Sequence, residues 1–237
     1  MVSPSSPAIG PRILVALDFD TLVQCERFLD LLDPSLCRVK IGKELFTATG
    51  PAAVNAAHSR GFDVFLDLKF HDIPATVAKA VKAAADLGVW MVNVHASGGP
   101  RMLAAAAESL VNLSQKPYLI GVTVLTSMAQ DELTQIGVNT PMAEQVLRLA
   151  GLVKDAGLDG IVCSAQEAEF MKAQFGKNFV LVTPGIRPEG SPADDQRRIV
   201  TPKQAVQWGS DYLVIGRPIT QAADPASVCR DIAQSLA

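Results

Sequence analysis

The sequence predicts a single α/β domain folded as a (β/α)8 barrel, the TIM-barrel architecture. Eight short apolar runs alternate with longer helical patterns along the chain. Several of the runs are apolar throughout, as expected for parallel strands covered on both faces. Eight repeats in roughly 225 residues match the size of such a barrel. We therefore expect residues 12–237 to form the barrel and residues 1–11, rich in Ser and Pro, to form a flexible N-terminal tail.

Each predicted element rests on its own local pattern. The helix predicted at 142–156 shows the helical period well, with Met142, Val146 and Leu149 on one apolar stripe. Gly157 follows it as a C-terminal stop. The predicted strands are 13–18, 37–41, 63–69, 90–95, 118–125, 160–163, 179–183 and 212–215.

An open, doubly wound sheet is the alternative to the barrel. That fold expects a Gly-x-Gly-x-x-Gly turn after the first strand. Here the first strand is followed by Asp18-Phe-Asp20-Thr, which contains no glycine. The barrel is therefore favoured.

Composition argues against several classes of protein. Lys and Arg total 21 and Asp and Glu total 24, so the net charge of −3 disfavours a nucleic-acid-binding protein. No run of 18 apolar residues is present, and residues 1–11 lack the features of a signal peptide, so we expect no membrane contact. The cysteines are widely spaced and form no Cys-x-x-Cys pair, which predicts reduced thiols in a cytoplasmic protein; they are Cys25, Cys37, Cys163 and Cys229.

Opposite charges stand at the end of the third predicted strand. Residues 64, 66 and 68 are apolar and suit the face covered by helices, so Asp67 and Lys69 face the barrel axis. Such charges are costly inside a barrel. They are tolerable at its C-terminal mouth, where the active sites of this fold lie. Asp67 and Lys69 are therefore candidate catalytic residues.

Neighbouring strands add further charges to the same rim. Asp18 ends the first strand and Lys40 ends the second, whereas Asp72 follows Lys69 in the next loop. Because the carboxyl ends of parallel strands meet at one end of the barrel, we expect four or five charges of alternating sign to come together there.

An anion site is predicted at the last two loops. In this fold the loops after strands seven and eight often hold a phosphate. Gly216 permits close backbone approach and Arg217 supplies a forked donor. The long polar loop 185–202 is a candidate lid, from which Arg187 and Gln196 would complete the contacts.

The histidines predict no metal site. His58, His71 and His95 have no metal-ligand spacing. His71 lies inside the charged segment and His95 ends the fourth strand. For each of these two, a supporting role and a functional role remain open.

The charged segment is one of several motifs that run in order from residue 17 to residue 219. Asp67-x-Lys69-x-x-Asp72 is followed by Ile-Pro, and Pro184-Gly-Ile-Arg187-Pro and Asp195-Gln196-Arg-Arg are more selective segments. The others are Leu17-Asp18, Val39-Lys40-Ile-Gly, Val122-Thr-Val-Leu-Thr126-Ser127 and Gly216-Arg217-Pro-Ile. Together they resemble the orotidine 5'-monophosphate decarboxylase family, although Asp-x-Lys-x-x-Asp alone is shared with a wider suprafamily.

The resemblance implies a reaction and a set of roles. The reaction is decarboxylation of orotidine 5'-monophosphate to UMP in de novo pyrimidine biosynthesis, by a homodimer that needs no metal and no organic cofactor. Lys69 would protonate C6 of the pyrimidine, and Asp67 would lie beside the departing carboxylate. Asp18 and Lys40 would hold the ribose, Lys40 would also hold the neighbouring charged groups in place, and Asp72 and Thr76 would reach into the partner subunit's site. Thr126 and Ser127 would lie at the pyrimidine, and Pro184 would also contact the substrate. The residues implied at the 5'-phosphate are Arg187, Gln196, Gly216 and Arg217.

Two alternatives stay open. A sugar-phosphate decarboxylase or aldolase of the same suprafamily would be expected to hold Mg²⁺ through an acidic residue at the end of the second strand, but Lys40 stands there. A catalytically silent phosphate-binding barrel would have little use for the charged Lys69.

Overall fold

The computed structural model describes residues 10–188 and 200–236, and in them eight parallel strands close into a barrel. Each strand pairs with its neighbours in sequence, and the last pairs with the first. The predicted (β/α)8 barrel is confirmed, and the open sheet is wrong. The strands are β1 (Ile13–Ala16), β2 (Cys37–Gly42), β3 (Val64–Phe70), β4 (Met91–His95), β5 (Tyr118–Val122), β6 (Gly160–Val162), β7 (Val180–Thr183) and β8 (Tyr212–Ile215).

Helices connect successive strands around the outside of the barrel. The helix predicted at 142–156 is confirmed within one residue as Met142–Asp155. The helices are α1 (Leu22–Leu29), α2 (Lys43–Thr49), α3 (Ala52–His58), α4 (Pro74–Asp86), α5 (Pro100–Glu108), α6 (Gln130–Gln135), α7 (Met142–Asp155), α8 (Ala168–Phe175), α9 (Pro202–Gln207), α10 (Arg217–Thr220) and α11 (Pro225–Ser235).

Two strands end at least two residues earlier than the apolar pattern predicted. β1 ends at Ala16, two residues before Asp18, and β5 ends at Val122 although the apolar run continues to residue 125. Some of the residues beyond the strand ends face the mouth of the barrel, where Val124 and Leu125 line a cavity.

The core has two layers that fix the direction in which each strand faces. Val64 and Leu66 of β3 belong to the layer between the sheet and the helices, whereas Phe65 belongs to the smaller cluster inside the barrel. The predicted alternation of β3 is therefore confirmed. A slip of one residue would move the whole apolar set to the wrong face, so packing holds Asp67 and Lys69 toward the axis.

Arg38 closes the lower, N-terminal end of the barrel. Its guanidinium lies 4.2 Å from the ring centroid of Trp90 and 5.5 Å from that of Tyr212. Its Nε donates to Asp63 Oδ2 at 3.0 Å. This buried cation is thereby stacked and paired, and it lies two residues before Lys40 on the same strand.

Features away from the barrel mouth agree with the composition. The four cysteines are buried and free. None of the helices in residues 10–188 and 200–236 combines the length and the apolar character needed to cross a membrane.

Candidate active site

Four charged side chains form a row at the C-terminal mouth of the barrel. Lys40 Nζ lies 3.5 Å from Asp18 Oδ1 and 3.5 Å from Asp67 Oδ2. Lys69 Nζ lies 2.7 Å from Asp67 Oδ1. The signs alternate along the row Asp18, Lys40, Asp67 and Lys69, as the sequence predicted. We call these four residues the charged row.

Glycine at position 42 leaves space for this row. A Cβ atom added to Gly42 would lie 3.1 Å from Lys40 Nζ and 3.6 Å from Asp18 Oδ1. The first of these contacts is tight, so the added carbon would crowd the ammonium group, whereas the second is an ordinary van der Waals distance. The Lys40-Ile-Gly42 segment thus combines a cation with the room that the cation needs.

The carboxylate of Asp67 stays ionised although it is buried. Burial alone would raise the pKa of Asp67, but the ammonium groups of Lys40 and Lys69 and the hydrogen bonds from Lys69 and Asn93 together hold it below its usual value. The side chain of Asp67 is only 12% exposed. The row therefore presents fixed charges of both signs with little water around its centre.

The backbone at Lys69 is unusual. Lys69 has φ of 50°, which makes it the only non-glycine residue with positive φ in the described part of the chain. A non-glycine residue in the left-handed region costs about 1–2 kcal/mol. Such conformations cluster at functional sites, where the surrounding structure holds them.

Asn93 holds this conformation, and the sequence interpretation missed it. Its Oδ1 accepts a hydrogen bond from Lys69 N at 2.8 Å, and its Nδ2 donates to Asp67 Oδ1 at 2.7 Å. The signal was present, because Asn93 is the polar residue in the apolar run Met-Val-Asn-Val of the fourth strand. Alternation from the buried Met91 places it on the axis face.

A cavity of about 180 Å³ opens beside Asp67 and Lys69. One wall is charged, and the other walls are apolar or weakly polar. The lining residues are Lys40, Phe65, Asp67, Lys69, Val122, Val124, Leu125, Thr126, Val162, Pro184 and Val214. Thr126 and Pro184 thus line the cavity beside the charged row, and a small planar ring would meet both charge and apolar surface there.

A larger cavity, of about 490 Å³, lies at the lower end of the barrel. Its lining includes Arg12, Lys177 and Trp208. The charged row is at the other end, at the carboxyl ends of the strands. Chemistry rather than size therefore identifies the upper cavity as the candidate active site.

Of the residues predicted to contact the anion, Gly216 lies beside the charged row. A Cβ atom on Gly216 would lie 3.5 Å from Ala16 Cβ and 3.9 Å from Asp18 Oδ2, so the turn into α10 passes close to the end of β1. Arg217 is the first residue of α10 and is half-buried.

The ends of the long polar loop are held against each other. Arg187 is buried, and its N donates to Val200 O at 3.0 Å, next to a bridge between Ile186 and Val200. Gln196, predicted to contact the phosphate, lies outside the described residues.

Three predicted site residues point outward. Asp72, Thr76 and Ser127 are exposed in the single chain. Asp72 Oδ1 accepts a hydrogen bond from the backbone N of Ile73 at 2.6 Å, and among the described residues it makes no ion pair with the charged row. The fold therefore brings together four of the five predicted charges and leaves the exposed Asp72 outside the row.

His71 and His95 lie together at the edge of the site. Their ring centroids are 5.4 Å apart. Burial and the nearby positive charges of His71, Lys43 and Lys69 lower the pKa of His95 from 6.5 to about 4. His95 is therefore neutral at neutral pH, which suits a supporting contact better than a charged one.

This shift in His95 predicts a pH dependence of stability. Between pH 6.5 and about 4 the unfolded chain binds a proton that the folded chain does not, so the free energy of unfolding falls as the pH is lowered through this window. Solvent contact at the half-buried ring limits the expected loss to about 1 kcal/mol. Urea unfolding at several pH values across this window would measure the free energy of unfolding. We expect that free energy to depend less on pH in His95→Gln than in the wild type. An equal pH dependence in both proteins would contradict the lowered pKa of His95.

Comparisons with known proteins show the family to which the chain belongs. The model of the Orotidine 5'-phosphate decarboxylase / HUMPS family matches residues 11–232. This chain belongs to that family. A Vibrio campbellii relative named orotidine 5'-phosphate decarboxylase is 61% identical over 230 residues, covering 97% of this chain and 99% of the relative. One of the same name from Vibrio cholerae is 62% identical over 227 residues, covering 95% and 98%.

Solved structures of the family share the barrel. Orotidine 5'-phosphate decarboxylase from Lactobacillus acidophilus superposes with a TM-score of 0.85 at 40% identity, covering 96% of this chain and 99% of that one. A Geobacillus kaustophilus structure described as an uncharacterized conserved protein gives a TM-score of 0.82 at 41% identity, covering 95% and 100%. The family's fold therefore extends over nearly the whole chain.

Proposed function

We propose that this chain converts orotidine 5'-monophosphate to UMP and CO2 by stabilising a carbanion at C6 and protonating it from Lys69. The observation that carries the proposal is the charged row, in which an ionised Asp67 and the ammonium of Lys69 face one small cavity. The proposal is supported by membership of the family and by about 60% identity to relatives named orotidine 5'-phosphate decarboxylase, a carboxy-lyase of pyrimidine biosynthesis.

The proposed reaction is a simple exchange at one carbon. The bond between C6 and the carboxylate carbon breaks, the electron pair stays on C6, and CO2 leaves. Lys69 then gives a proton to C6 and regains one from solvent. Asp67, beside the departing carboxylate, holds the ammonium of Lys69 in place through the 2.7 Å contact.

One lysine does not account for the rate enhancement of an enzyme. At about 4 Å and an effective dielectric near 20, an ammonium and a carbanion attract by roughly 4 kcal/mol. Enzymes lower barriers by roughly 8–23 kcal/mol. The rest must come from contacts far from C6 that hold the charged row and the ring in one geometry, at the ribose (Asp18 and Lys40) and at the 5'-phosphate.

The phosphate contacts are proposed at the loops after β7 and β8. Gly216 is supported by its position next to Asp18, Arg217 by its place directly after Gly216 at the start of α10, and Arg187 by the bridge that anchors the long loop. Gln196 completes the set proposed from the sequence. Thr126, Ser127 and Pro184 are proposed at the pyrimidine end, where Thr126 and Pro184 line the cavity.

Replacement of Arg217 by alanine tests the phosphate site. We expect KM to rise by about 10–100-fold, because a hydrogen bond to a charged group contributes about 1.5–3 kcal/mol. Steady-state kinetics would measure the change, with Arg230→Ala on the exposed face of α11 as the matched control. An unchanged KM would show that Arg217 does not contact the phosphate.

The active unit is proposed to be a homodimer with shared sites. Asp72 and Thr76 are exposed, and among the described residues Asp72 makes no ion pair with its own chain's charged row, which suits a contribution to the partner's site. Ile73 between them is 67% exposed, an apolar residue that a partner would cover. A cytoplasmic location is proposed from the four free thiols.

A metal-dependent reaction on a sugar phosphate is the second candidate, because the family model covers more than one activity. The position expected to hold the metal is Lys40, whose ammonium lies 3.5 Å from Asp67 and would repel a cation. The deciding experiment is a spectrophotometric assay with orotidine 5'-monophosphate, with and without EDTA. Full activity in EDTA supports the proposal. Activity lost in EDTA would favour the metal-dependent candidate, and nucleotide binding without CO2 release would favour a silent phosphate-binding barrel.

A further inference from the structure

Asn93 is the feature of the site that the proposed reaction does not yet use. Its side chain is fully buried. Both ends of its amide are engaged: Oδ1 accepts from Lys69 N at 2.8 Å, and Nδ2 donates to Asp67 Oδ1 at 2.7 Å. One side chain therefore contacts the proton donor through its backbone and the neighbouring carboxylate directly.

The sheet is irregular at this point. Leu66 pairs with Val92 and Phe70 pairs with Val94, so three residues of β3 stand opposite the single residue Asn93. Bulges of this kind re-aim side chains and are enriched next to active sites. Lys69 lies in the bulge with its positive φ, and the Asn93 side chain takes the hydrogen bond from its N–H.

We propose that Asn93 is a positioning residue that sets the direction of Lys69 and the orientation of Asp67 for the reaction. The inference rests on the proposed decarboxylation. A primary amide suits this position because it offers one acceptor and two donors at a fixed separation. Its acceptor holds the strained backbone of Lys69, and its donor fixes the carboxylate oxygen that also contacts Lys69 Nζ.

Asn93→Asp separates these two functions with almost no change in shape. The acceptor for Lys69 N remains, whereas the donor to Asp67 is replaced by a second oxygen about 2.7 Å away. At pH 8 we expect kcat to fall by about 10–100-fold, since small misplacements of reacting groups have effects of that size. KM should change by less than about threefold, because substrate binding relies on distant phosphate contacts.

The pH profile of this variant carries the decisive readout. Two adjacent carboxylates repel each other, so the pair takes up its first proton at a higher pH than an isolated carboxylate would. That proton restores a donor between positions 93 and 67. The kcat of Asn93→Asp relative to the wild type should therefore rise as the pH is lowered toward that value, an effect that general destabilisation would not produce.

Asn93→Leu and Asn93→Ser test loss of the amide, and Thr183→Val is the matched control. Thr183 is fully buried, and its hydroxyl donates to the backbone oxygen of Tyr212 at 3.4 Å rather than to a side chain of the charged row. We expect both Asn93 variants to lose kcat with little change in KM, and the control to stay within about twofold of the wild type. Circular dichroism and thermal melting would verify folding.

Each outcome decides the inference. The inference would be overturned if the Asn93 variants lost no more kcat than Thr183→Val, or if the kcat of Asn93→Asp relative to the wild type did not change with pH. It would also be overturned if all three Asn93 variants failed to fold. A wild-type chain that does not decarboxylate the nucleotide would instead overturn the proposed function.

Discussion

Replacement of Lys69 by methionine is expected to lower kcat by at least about 1,000-fold while nucleotide binding remains measurable. The variant loses both the ammonium that would stabilise charge at C6 and the proton that C6 receives. Attraction at about 4 Å alone is worth roughly 4 kcal/mol, which corresponds to about 1,000-fold in rate. The proposed phosphate and ribose contacts are made by other residues, so binding should survive.

The variant is also expected to fold. Asp67 keeps the ammonium of Lys40 at 3.5 Å and the hydrogen bond from Asn93 at 2.7 Å, so its buried charge remains compensated. Methionine retains the length and most of the apolar volume of the side chain. Circular dichroism and isothermal titration with UMP would confirm folding and binding.

Lys172→Met provides the matched control. Lys172 Nζ lies 2.7 Å from Asp211 Oδ2, the same separation as in the Lys69–Asp67 pair, but it lines the cavity at the lower end of the barrel. We expect this variant to lose stability and to keep kcat. Near-normal turnover in Lys69→Met, or an equal loss in Lys172→Met, would refute the role of Lys69.

Mixed dimers of Lys69→Met and Asp72→Ala subunits are expected to regain activity that neither variant has alone. If Asp72 reaches the partner's site, each mixed dimer contains one site with both residues intact and one with neither. Random exchange makes half of the dimers mixed, so about a quarter of the wild-type activity should return. The exposed position of Asp72, away from its own charged row, motivates the experiment.

A second mixture makes the test specific. Asp67 and Lys69 are in contact within one chain, so dimers that combine Lys69→Met with Asp67→Asn contain no intact site. We expect no recovery from that pair. Native mass spectrometry would show that mixed dimers formed in both experiments. Recovery in both mixtures, or in neither, would contradict shared sites built through Asp72.

The sequence by itself determined the barrel and the identity of the charged row. The apolar alternation of β3 allows only one face for Asp67 and Lys69. The carboxyl ends of all strands in a parallel barrel lie at the same mouth, so Asp18 and Lys40 must lie there as well. Local periodicity and chain order carry this information, so it can be predicted without contacts.

The tertiary structure alone decided how these residues act together. Arg38 and Lys40 look equivalent on β2, yet one is stacked on Trp90 at the lower end and the other joins the charged row. Asn93 acquires its role from a bulge opposite it in β3, and Asp72 turns outward although it is only three residues from Lys69. Such outcomes depend on register and on contacts between strands distant in sequence, which the local pattern does not encode.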